Sequence, residues 1–164
     1  MFDARELFRA LHAHEVAYVT IGGVAVQAHG GQRMTQDLDV AVASARENFE
    51  SLAGALSELD ARILGPDGRR SDSTPGATLL ASGDQWHLVT RHGRLDVMTV
   101  PVRLGSFEEM RGRAHEVPMD DFIVPVASRR DLLVLKRAAG RAQDLADIEL
   151  LESLDQDEGA AGPA

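Results

Sequence analysis

The chain has 164 residues, 44% hydrophobic and 26% charged, with no cysteine and a net charge of −9. That length supports one core, and the composition is globular rather than disordered or fibrous. The lack of cysteine excludes disulfides, zinc–thiolate sites and cysteine nucleophiles, and the acid excess argues against broad DNA or RNA binding.

Asp3, Arg5 and Glu6 replace any apolar leader, and no run is long enough to span a membrane, so a cytoplasmic protein is expected. Asp3 is placed to cap a first helix reaching about residue 14, with Leu7 and Leu11 on one face. A β-rich run over 16–21 ends at Gly22-Gly23, and 24–29 reads as a short helix stopped by Gly30-Gly31. A strand over 38–43 precedes an amphipathic helix over 45–59, and a short strand starts at Arg62. Residues 65–76, with Pro66, Pro75 and several glycines, form a loop.

Residues 78–81, 86–90 and 94–100 have strand composition, the last two joined by a hairpin at His92-Gly93. Another strand covers 122–126, and Ser128 with Asp131 resembles a capping box opening a helix to about 139. Beyond Gly140, the residues Leu145, Ile148, Leu151 and Leu154 stripe a last helix, and the acidic tail 155–164 is expected to fray. This order predicts an α+β fold in one domain over 1–154. It would have a mixed β-sheet, helices mainly on one face, and a C-terminal helical pair over about 128–154.

The chemistry sits in three places. Gly22 and Gly23 end a strand with bare backbone N–H groups, which suit a phosphate. After the spacer 24–36, Asp37-Leu38-Asp39-Val40 puts two carboxylates on one face of a strand. Magnesium favours such hard oxygens and completes its shell with water and substrate phosphate. Asp96, inside the apolar stretch Arg94-Leu95-Asp96-Val97-Met98, needs a partner and is the candidate third carboxylate. Taken singly these features are ordinary, since Asp-x-Asp pairs mostly mark solvated strand edges and Gly-Gly mostly marks a tight turn. Their combination points to phosphoryl or nucleotidyl transfer.

Lys136 is the single lysine among 17 basic side chains. A helix lysine usually faces solvent, but the arginine-rich background singles this one out. Asp144 and Asp147 also read as first-turn acids favoured by the helix dipole. The six histidines lack metal-ligand spacing, which disfavours zinc, and Trp86 and Tyr18 read as packing residues.

These motifs together resemble the nucleotidyltransferase superfamily that includes DNA polymerase β, across roughly residues 19–151. Ile21-Gly22-Gly23 and Asp37-Leu38-Asp39-Val40 match its signature, and Asp96 matches its third carboxylate. The stretch Arg33-Met34-Thr35-Gln36-Asp37-Leu38-Asp39, with Lys136 and Asp144 on C-terminal helices, is similar to the small AbiEii-toxin-like proteins, although Gln143 stands where those relatives carry arginine. The resemblance implies two Mg²⁺ ions at Asp37, Asp39 and Asp96, and a nucleoside triphosphate (NTP) as substrate. The nucleotide would meet Gly22, Gly23, Arg33, Thr35, Lys136 and Asp144, with Lys136 also counted among the catalytic groups. It implies transfer of a nucleoside monophosphate (NMP) to a hydroxyl of tRNA, protein or a small molecule. It also implies a place in toxin–antitoxin or phage-defence pairs, with a cognate antitoxin as partner. The alternative on the same fold is a non-catalytic nucleotide-sensing or protein-interaction module.

Overall fold

The computed structural model describes residues 1–32 and 34–160, so Arg33 and the end of the tail lie outside the described residues. The strands are β1 Tyr18–Ile21, β2 Asp37–Val42, β3 Arg62–Ile63, β4 Gln85–Thr90, β5 Gly93–Thr99, β6 His115–Met119 and β7 Phe122–Val126. The helices are α1 Ala4–Ala13, α2 Gly22–Ala28, α3 Arg46–Glu58, α4 Ala77–Leu80, α5 Phe107–Arg113, α6 Arg129–Ala139 and α7 Ala142–Ala160. Among the described residues there is one seven-stranded sheet, ordered β3-β4-β5-β2-β1-β7-β6. It is mixed: β2 runs antiparallel to β1 and parallel to β5, while β7 runs parallel to β1.

Alternation along β2 divides the molecule. Leu38, Val40 and Val42 enter the core with Leu95 and Val97 of β5, Leu7 and Leu11 of α1, and Phe49, Leu52 and Leu56 of α3. Asp37, Asp39 and Ala41 point to the other face. The Asp3 carboxylate caps α1 by accepting from the Arg5 and Glu6 amides at 3.1 and 3.3 Å. Asn48, buried in α3, accepts from the Ala17 amide at 2.7 Å and donates to the Ala17 and Ala43 carbonyls at 3.0 and 2.9 Å. That one side chain joins α3 to the start of β1 and the end of β2.

Several local expectations change. Residues 78–81 are not a strand, because the segment forms the single turn α4 with Leu80 fully buried. The Trp86 indole N–H donates to the Leu80 carbonyl at 3.1 Å, so this turn is held from the side and has no sheet partner. Helix α2 opens at Gly22 rather than Val24. The segment 101–121, unassigned by pattern, contains a 3-10 turn at Val102–Leu104, then α5 and β6. Only half of the expected capping box forms at α6. Ser128 Oγ accepts from the Asp131 amide at 3.1 Å, while the Asp131 carboxylate is held by Arg113 Nε at 3.0 and 3.2 Å. Helix α7 continues to Ala160, past Asp155 where the tail was expected to begin. Among the described residues no helix is long and apolar enough to cross a membrane.

Candidate active site

The carboxylates meet because of strand order. Asp39 pairs in register with Asp96 on β5 and with Ile21 on β1, so three segments distant in sequence converge at one point on the sheet. They form the floor of a cleft of about 400 Å³, with Gly22, Asp39, His87, Asp96 and Met98 on one side. Leu132, Leu135, Lys136 and Arg141, on α6 and the turn after it, form the other wall.

Gly22 has φ +66°, and a Cβ there would overlap the Asp39 carboxylate. Both the backbone conformation and the space therefore require glycine. Gly22→Ala is expected to cost about 1–3 kcal/mol in stability and to push Asp39 out of place. Urea denaturation of the variant measures this, and wild-type stability would contradict it.

Asp37 is half-buried at the mouth of β2, where the Thr35 hydroxyl donates to its Oδ1 at 2.8 Å. Thr35, expected at the nucleotide, is thus a support for Asp37. Burial, reinforced by the charges of Asp37 and Asp96, raises the Asp39 carboxyl to about 6, against the opposing pull of Arg141 and Lys136. Asp96 Oδ2 lies 3.1 Å from His87 Nδ1. Its buried Oδ1 has no hydrogen-bond partner among the described residues.

Lys136 lies on the cleft wall, but its ammonium points between two carboxylates of α7. Nζ is 3.3 Å from Asp144 Oδ1 and 2.6 Å from Asp147 Oδ2. All three side chains are buried. Asp144 also accepts from the Arg141 amide at 3.2 Å and from its guanidinium at 3.0 Å. Burial works to raise the Asp144 carboxyl, but these donors outweigh it and hold it below the usual range. Asp144, expected at the nucleotide, stands behind the cleft wall and fixes Lys136 and Arg141. Asp147, read as a first-turn acid, is part of the same buried network. Arg33 lies outside the described residues.

A divalent cation suits this donor set. The oxygens are hard, Asp96 Oδ1 is a buried acceptor with no partner among the described residues, and a cation would offset the burial and the neighbouring negative charges that raise Asp39. Among the described residues no group of three or more His, Cys, Asp or Glu side chains is placed to hold a metal ion, and Asp37 lines a separate recess with Thr35 and Gln36, so Asp39 and Asp96 would need substrate phosphate and water to complete the shell. Pattern reading missed His87, Gln85, Met98 and Arg141 as cleft residues. The signal for His87 was present, since counting back along the hairpin at His92-Gly93 places it opposite Asp96.

No family profile matches the chain, and no curated protein matches it by sequence. Solved structures similar to it include the lincosamide antibiotic adenylyltransferase LnuA with lincomycin bound. It is 18% identical with TM-score 0.61, over 93% of this chain and 98% of its own. ANT(2'')-Ia in complex with adenylyl-2''-tobramycin is 14% identical with TM-score 0.59, over 96% and 93%. A Thermotoga maritima protein assigned as a nucleotidyltransferase is 15% identical with TM-score 0.53, over 93% and 91%. The chain has the fold of these nucleotidyltransferases.

Proposed function

We propose that the protein is a Mg²⁺-dependent nucleotidyltransferase that moves an NMP from an NTP to a hydroxyl of a small-molecule acceptor. The carrying observation is the in-register pair Asp39–Asp96 beside the obligatory Gly22 in one cleft. A cleft of about 400 Å³ suits a compact ligand, and similar folds belong to a lincosamide antibiotic adenylyltransferase and to a protein solved with adenylyl-2''-tobramycin.

In this reading the Gly22 and Gly23 amides receive the terminal phosphates and hold the α-phosphorus over Asp39 and Asp96. Asp37, Asp39 and Asp96 would hold the cation, and Thr35 keeps Asp37 aimed at it. Bound there, Mg²⁺ would neutralise phosphate charge and ease loss of the acceptor's hydroxyl proton. The acceptor oxygen bonds to the α-phosphorus, the bond from that phosphorus to the bridging oxygen breaks, and pyrophosphate leaves. On the opposite wall Arg141 offers an exposed guanidinium shared with Asp144, while the Lys136 ammonium is matched by Asp144 and Asp147.

The test follows label from α-³²P NTPs with Mg²⁺ into a host extract, beside an Asp37→Ala/Asp39→Ala variant. Label entering small metabolites only with the native protein is expected. Transfer by the double variant would overturn the assignment. Metal-dependent nucleotide binding without transfer would favour the sensing module.

A further inference from the structure

We propose that Arg103 receives an anionic group of the acceptor, so that the acceptor is an alcohol carrying a carboxylate or a phosphate on an apolar body. The inference rests on the transferase reading above. The cleft has two ends, set by helix α6, whose 11 residues span about 16 Å. Just past the C-terminal end of α6, the charge of Arg141 reaches Asp39 beside Gly22. At the other end, the turn Val102–Leu104 is tied to the start of α6. Arg113 donates to the Leu104 carbonyl at 2.8 Å and to Asp131 at 3.0 Å. Buried Leu104 pins that turn, and Arg103 beside it lines the cleft. On the floor, Asp96 and Met98 share one face of β5, so the lining turns from carboxylate to apolar on the way to Arg103.

The charges along the cleft are matched except at this end. Asp144 serves both Lys136 and Arg141, and Asp147 faces Lys136. Asp39 and Asp96 would hold the cation. Arg103 has no hydrogen-bond or ion-pair partner among the described residues. Water solvates a guanidinium on an open wall. A body lying on Met98, Pro101, Leu132 and Leu135 displaces that water, and the ligand must then match the charge itself. A neutral alcohol leaves the cation unmatched and an ammonium opposes it. A carboxylate or phosphate takes the guanidinium fork in paired hydrogen bonds.

The test is an NMR titration of ¹⁵N-labelled protein saturated with Mg²⁺ and α,β-methylene-ATP, which cannot transfer. The probes are benzoate, phenyl phosphate, benzyl alcohol and benzylamine, followed at the Arg103 and Met98 amides. Benzoate or phenyl phosphate should bind at least about fivefold more tightly than benzyl alcohol, and benzylamine most weakly. The tighter of the two anions names the group, and either supports the inference. Arg103→Gln should bring the anions down to the affinity of the alcohol. Arg103→Glu should reverse the order and make benzylamine the tightest, a change that loss of structure cannot produce. Arg103 is exposed, so both variants should fold and bind the nucleotide as the native protein does. In the transfer assay, label should enter host metabolites that an anion exchanger retains at neutral pH.

Anions that bind no tighter than the alcohol, an unchanged order in Arg103→Glu, or label entering only unretained metabolites would overturn the inference alone. So would loss of nucleotide affinity in Arg103→Gln, which would place the guanidinium on the triphosphate. If the nucleotide does not bind with Mg²⁺, or binds and no label moves, the transferase reading falls and takes the inference with it.

Discussion

Asp39→Asn is expected to make the metal-free protein more stable at neutral pH while ending transfer. Burial, then the charges of Asp37 and Asp96, lift this carboxyl from 3.8 to about 6. A rise of that size corresponds to a native-state cost of about 3 kcal/mol whenever the group is ionised. The folded pKa exceeds the unfolded one, so the native state binds more protons between the two values. The stability contributed by this group is therefore highest below about pH 4, declines as pH rises to about 6, and stays low above that. Asparagine keeps the shape beside Gly22 and removes the charge, so the variant should lose this slope and gain most at about pH 7.5. Its transfer rate should fall by about two orders of magnitude or more, because the site loses one of the carboxylates that would hold the cation. Mg²⁺ should stabilise the native protein far more than the variant, and the difference should grow as pH climbs through 6. Urea denaturation with EDTA and with Mg²⁺ across this range measures the stabilities, and label transfer from α-³²P NTPs measures the rate. A variant less stable than the native protein at neutral pH would contradict the argument.

Lys136→Met is expected to be among the most destabilising single changes. The ammonium sits between Asp144 and Asp147, all three buried, and methionine would withdraw the cation from both carboxylates. Breaking a buried pair from one side costs about 3–5 kcal/mol. Adding Asp144→Asn and Asp147→Asn should restore much of the stability, because the unmatched charges are then gone. Chemical denaturation of the single and triple variants settles this. A single variant of native stability would mean that the network contributes nothing to the fold.

Local periodicity and turn chemistry were good guides wherever one face of an element is plainly apolar. The core stripes of α1 and α3, and the alternation of β2, follow that rule. Helix α7 does not. Its expected stripe began at Leu145, which is 61% exposed, while Asp144 and Asp147 are buried with Leu151. An apolar-in, polar-out rule cannot place two acids in the interior unless the lysine they face is known. The segment 101–121 had no clear period. It did contain one legible signal, the Ser106–Glu109 capping box, which forms at the head of α5.

The residue types at the site were fixed locally. A strand must expose alternate side chains on one face, which sets Asp37 with Asp39, and the glycine pair must end the strand before them. Which residues share the cleft was decided by the tertiary structure. Strand order sets β2 beside β5 and β4 beyond it, bringing His87 to Asp96, while the packing of α6 on α7 turns Lys136 onto Asp144 and Asp147. Those contacts join segments far apart in the chain, and no local period records which distant partner a strand or helix will meet.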